Sequence, residues 1–137
     1  MRVEAYIRVL AEENTIRSIH AETNLPNGSI EQLKAPRNVS SAEMWWNWQT
    51  KVIPIDADNL DDGLRALLNA HKPIFPIIRR YRGPEVDIYL EVVTHYDEGE
   101  EPQGLYLSAE TIQLLGEMGG ALDNDVVVTV AGRSQER

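Results

Sequence analysis

The chain has 137 residues, enough to bury one core and too few for two. It has no cysteine, which excludes a disulfide framework and thiol chemistry, and no long apolar run, which excludes a transmembrane helix. The net charge of −9 is uneven: residues 1–43 carry −1, residues 44–83 carry +2 and residues 84–137 carry −10. An acidic last third repels phosphate backbones and argues against nucleic-acid binding. It attracts a basic protein partner and speeds its approach, with plain solubility as the alternative reason for the charge. MRVEAYIRVL lacks the apolar core of a signal peptide, so the expected location is the cytoplasm, with no membrane partner.

Arg2 to Leu10 alternates Val3, Ala5, Ile7 and Val9 against Arg2, Glu4, Tyr6 and Arg8, which predicts a strand. Glu12 to Thr23 predicts a short helix with acids in its first turn and Ile16, Ile19 and Thr23 on one face. Leu25-Pro26-Asn27-Gly28 stops it, and the polar stretch to about Ser41 reads as a long surface loop. Met44 to Thr50 reads as a strand holding all three tryptophans. Trp46 and Trp48 share a face with Met44, and Trp45 points the other way. The cluster is either core packing with Trp45 at an edge, or a stacking platform or binding hot spot.

Asp56 to Gly63 does not satisfy calcium-loop spacing: with Gly63 as the turn glycine, Leu60 falls on a ligand position. Asp58 or Asn59 is the expected helix cap, with Asp61 and Asp62 in the first turn. The helix runs through Leu60, Leu64, Leu67, Leu68 and His71, and Pro73 ends it and opens a second one. Arg79, Arg80 and Arg82 crowd the end of that second helix. They complement its dipole or offer an anion site.

Glu85 to Thr94, EVDIYLEVVT, is the clearest strand, aliphatic on one face and acidic and aromatic on the other. Asp97, Glu98, Glu100 and Glu101 follow in an exposed loop. Leu105 to Leu107 reads as a short strand, then Ser108 caps a helix whose core face is Ile112, Leu114, Leu115 and Met118, closed by Gly119-Gly120. Asp123 to Asp125 leads into a last strand, Val126 to Val130, whose β-branched run predicts burial on both faces. The predicted fold is α+β: residues 1–131 form one domain with a mixed or mostly antiparallel sheet of about five strands and helices on one face. A ferredoxin-like architecture is its nearest common relative, and residues 132–137 are a polar tail expected to fray.

The segments VDIYLEVV, GLYLSAETIQLLGEMGGAL and DNDVVV, with the Trp-rich strand and the helix at Leu60–Leu68, resemble a bacterial family catalogued only as a domain of unknown function. The pattern is similar to families found among immunity proteins of bacterial toxin systems. The resemblance brings no catalytic residue with it, and the sequence itself shows no metal motif and no cofactor fingerprint.

His20, His71 and His95 are scattered, and neither a nucleophile elbow nor a phosphate loop is present. His95 beside the acidic loop is the best acid–base candidate. Two functional readings follow. The first is a non-enzymatic interaction module, an immunity or inhibitor protein, that binds a basic partner through Trp45, Asp97, Glu98, Glu100 and Glu101. The second is a small-ligand sensor or minor enzyme with a pocket by the Trp-rich strand and a charge from Arg79, Arg80 or Arg82. Homodimerisation through an edge strand is compatible with either.

Overall fold

The computed structural model describes residues 1–33, 45–101 and 103–130, and the backbone of residues 133–135. The elements run β1 (Arg2–Ala11), α1 (Glu13–Thr23), β2 (Ser29–Gln32), β3 (Trp46–Gln49), β4 (Ile53–Ile55), α2 (Leu60–Ala70), α3 (Phe75–Arg80), β5 (Asp87–Asp97), α4 (Ala109–Met118), β6 (Ala121–Val130) and β7 (Arg133–Gln135). They form an α+β fold around one mixed sheet of seven strands in the order β2-β3-β1-β5-β6-β7, with β4 also on β1. The strand order does not establish a ferredoxin-like relation. No helix among the described residues is long and apolar enough to cross a membrane.

β1 is central. It pairs antiparallel with β5 along one edge, from Arg2↔His95 to Leu10↔Asp87. Its other edge is shared by β3, opposite Arg8 to Ala11, and β4, opposite Val3 to Ala5. Between them, Thr50 completes the ladder: Ile7 N–H donates to Thr50 Oγ1 at 3.0 Å, and Thr50 N–H donates to Ile7 O at 2.9 Å. A side chain thus satisfies a buried donor where the strand is interrupted. β5 and β6 run parallel, joined through α4.

The strict alternation of β1 sends Val3, Ala5, Ile7, Val9 and Ala11 into one core with Trp48, Ile88, Leu90 and Val92. Ile16 and Ile19 of α1, Leu64, Leu67 and Leu68 of α2, Phe75 and Ile78 of α3, and Leu114 and Met118 of α4 close over it. All the helices therefore cover one face of the sheet. The opposite face carries Arg8, Tyr6 and Glu4 of β1, Tyr89, Glu91 and Val93 of β5, and Asp123 and Asp125 of β6.

Several local expectations change. Residues 29–32 of the expected loop are a strand, because Ile30 has a core-facing place opposite Trp48. Residues 34–44 of that stretch, Met44 included, lie outside the described residues. Asn59 holds the N-cap position of α2 without a side-chain capping bond; that bond comes earlier, where the Asp56 side chain accepts from Asp58 N–H at 3.0 Å. A short 3₁₀ turn precedes the helix and moves the exposed N–H groups back. Leu105 to Leu107 is not a strand; it is part of the connection from β5 to α4. Ile112 is 55 % exposed, because the buried stripe of α4 runs through Thr111, Leu114 and Met118. β6 begins at Ala121, and Val126 and Val128 are 44 % and 41 % exposed. The helical layer reaches β6 only near its start, where Leu122 packs on the core. Residues 133–135 pair with β6 as β7.

Candidate functional site: an acidic, tryptophan-lined cleft and a buried carboxylate

One end of the sheet gathers chemistry from five segments. β1 ends there, β3 begins beside it, β2 ends opposite Trp46, β5 is about to begin, and α1 starts immediately after β1. Together they line a cleft of about 580 Å³ with Glu12, Glu13, Asn14, Gln32, Trp45, Trp46 and Glu85. Trp45, at 36 % exposure, precedes the first paired residue of β3 and is not drawn into the core as Trp48 is. Glu13 accepts from Arg17 Nε at 2.8 Å. The Arg17 guanidinium lies 5.1 Å from the Trp46 ring centroid, a cation–π contact. Glu12 and Glu85 have no ion-pair partner among the described residues. The lining therefore offers indoles, amides and carboxylates, a set suited to a cationic group.

The residues singled out from sequence do not form one patch. Trp45 adjoins Trp46, which pairs with Ala11 at the end of β1. The acidic loop lies by the start of β1, where Glu100 Oε2 accepts from the Met1 ammonium at 2.7 Å. Ten extended residues separate them, roughly 30 Å. Glu100 Oε1 also accepts from Asp97 N–H at 2.9 Å, and these bonds hold the Glu100 carboxyl below its ordinary range. Glu98 N–H donates to Thr129 O at 2.8 Å, tying the loop to β6. Glu101 is exposed.

The arginines are elsewhere again, on the helical layer. Arg80 pairs with Glu22 at 2.7 Å. Arg79 lines a shallower cleft of about 470 Å³ with Lys72, Phe75, Pro76 and Glu117. A methyl group on Gly119 would meet the stems of Arg79 and Arg82 at 3.4 and 3.5 Å, so both lean on the end of α4. None of the three reaches the tryptophan cleft. His95 Nε2 lies 3.1 Å from Glu4 Oε1, and both are partly buried.

A second constellation went unseen in the sequence. Glu91 lies mid-sheet on the face away from the helices, between Tyr6 on β1 and Asp123 on β6, and is 0 % exposed. Neither of its carboxylate oxygens has a hydrogen-bond donor among the described residues. Carboxylate oxygens of Glu91, Asp123 and Asp125 all lie within 4.8 Å of one another. Burial first, then the adjacent Asp125 and Asp123 carboxyls, pushes the Glu91 carboxyl up to about 9; a proton there would be shared with one of them. Burial likewise pushes the phenols of Tyr6 and Tyr89 up, with these acids adding to the effect. The signal in the sequence was the period of two in Asp123-Asn124-Asp125, which puts both acids on one face once the strand starts at Ala121.

A search of curated proteins finds no match to the sequence. A family model does match, over residues 3–129, and so takes in every strand that builds the cleft and the carboxylate cluster. The chain belongs to the family described as domain of unknown function (DUF4279).

Proposed function

We propose that the protein is a non-catalytic interaction module that receives a basic segment of a partner protein in the Trp45 cleft. The observation that carries this reading is the placement of exposed Trp45 beside Glu12 and Glu85. An indole face and uncompensated carboxylates together favour a lysine or arginine side chain, and an exposed tryptophan is a common binding anchor. Arg17 over Trp46 illustrates the same preference within the chain. The acidic last third steers such a partner from a distance. Binding to a basic toxin, as an immunity or inhibitor protein does, is the form of this reading that the sequence resemblance suggests.

A second reading has its own observation. A cleft of about 580 Å³ also has the size of a small-molecule site. The same carboxylates and indoles would then favour an amine-bearing ligand.

A tagged pull-down from lysate of the native host, comparing wild type with Trp45→Ala and with Glu12→Gln/Glu85→Gln, separates the two. The interaction reading expects one basic protein, held at low salt, released at high salt and lost by both variants. A small molecule retained without a protein supports the second reading. A protein held equally by all three would overturn the cleft as the binding site.

A further inference from the structure

We infer that Glu91, Asp123 and Asp125 form a binding site for a hard divalent cation, calcium above all, on the face of the sheet opposite the helices. The inference is independent of the tryptophan cleft. Its first support is register. In the parallel β5–β6 pair, Glu91 lies opposite Asp123, and Asp125 follows two residues on, so all three side chains leave the same face. Their oxygens converge to within 4.8 Å of one another. Two oxygens on one calcium ion, each at about 2.4 Å, can be at most about 4.8 Å apart.

The second support is Glu91 itself. A cluster of surface acids needs no ion, because water solvates each one. Glu91 is fully buried, neither oxygen has a donor among the described residues, and its carboxylate meets the two aspartates. Buried polar groups in folded proteins are almost always satisfied, and an exception calls for a specific cause. Among the described residues no lysine, arginine or histidine forms an ion pair with any of the three. On the same face, Arg8 donates instead to Asn47 Oδ1 at 3.0 Å, and His95 lies against Glu4 at 3.1 Å.

Accessibility is graded in a way that suits an ion. Glu91 is buried, Asp123 half-buried and Asp125 exposed. An ion enters over Asp125, loses water on reaching Glu91 and keeps water on its outer side. All-carboxylate donors with no nitrogen or sulfur favour calcium, magnesium or manganese over zinc or copper. The competing occupant is a proton on Glu91 shared with an aspartate.

The test is thermal unfolding and titration calorimetry of the chelator-stripped protein with calcium, magnesium and manganese chloride at constant ionic strength. Wild type, Glu91→Gln, Asp125→Asn and the off-site control Glu117→Gln are compared, each checked for fold by circular dichroism. The expected result is a saturable rise in Tm with at least one of the three ions, kept by Glu117→Gln. Binding should weaken by at least about tenfold in Glu91→Gln and in Asp125→Asn, since affinity follows the number of charged ligands. Asp125 is exposed, so its variant tests the site without disturbing packing. The inference is overturned if wild type shows no ion-dependent shift up to about 5 mM, beyond the weakest affinities of natural calcium modules. It is equally overturned if all four proteins respond alike, which would mark nonspecific screening of an acidic surface.

Discussion

Glu91 concentrates the physical tension of this protein in one side chain. A carboxyl that is out of water beside two others is costly: pushed up to about 9, it must take up a proton when the chain folds at neutral pH, whereas the unfolded side chain is ionised. Glutamine keeps the shape, needs no proton and lets an N–H donate to the aspartates. In chelator, Glu91→Gln should therefore unfold at higher urea than wild type, by about 1–3 kcal/mol at neutral pH. Saturating calcium should narrow or reverse that difference. An ordinary structural glutamate would behave the opposite way, with the variant weaker in both conditions. The sequence showed Glu91 as one acid on the outer face of a clear strand, and its face was legible. Its burial was not, because burial on that face depends on Tyr6 and the aspartates, which arrive from strands distant in sequence.

At the scale of elements, the clamp between α2 and α4 rests on Asp61. Its Oδ1 accepts from Ser108 N–H at 2.9 Å and Thr111 Oγ1–H at 2.8 Å, and its Oδ2 accepts from Arg65 Nη1 at 3.0 Å. Burial pulls this carboxyl upward, but the Ser108 and Thr111 bonds and the Arg65 charge together hold it below its ordinary value of 3.8. A carboxyl depressed in the folded state adds stability that is complete above 3.8 and is lost as pH falls through the lower folded value. Asp61→Asn should cost about 2 kcal/mol at neutral pH, and the gap to wild type should close in acid unfolding below about pH 4. Gly63, in the first turn of α2 where that helix passes β4, makes a separate prediction. Alanine normally favours a helix, yet a Cβ here would lie 2.6 Å from Ile55 Cγ2 on β4. Gly63→Ala should destabilise by about 1–3 kcal/mol in urea melts. Helices and long strands were legible from periodicity, with the Ser108 cap bonded to Thr111 N–H at 3.3 Å and the Gly119 stop at φ 77°. Short strands were not. β2 and β4 span only four and three residues, and Ile30 and Ile53 become core residues only because β3 and β1 lie beside them.

The whole molecule is a sheet with two unlike faces and two unlike ends. Helices cover one face; the other carries Tyr6, Tyr89 and the carboxylate cluster. One end holds the acidic loop, pinned by the Met1 ammonium, and the other holds the tryptophan cleft. Net charge and the tryptophan run were visible in the sequence, but not that the strand order sets Trp45 and the acidic loop at opposite ends of β1. The binding account therefore assigns recognition to the cleft, with the distant acids supplying long-range attraction. Raising salt should slow association through screening, while loss of Trp45 should act on the lifetime of the complex.

The most direct measurement is a tryptophan-fluorescence titration of purified protein with an arginine- and lysine-rich peptide at low salt. Wild type, Trp45→Ala, Glu12→Gln/Glu85→Gln and the equally charged control Glu110→Gln/Glu117→Gln are compared. The account predicts a saturable emission change in wild type and in the control, and weakening by about tenfold or more when Trp45 or the cleft acids are removed. Equal binding by the cleft variant and the control, or no saturable change in wild type, would contradict it.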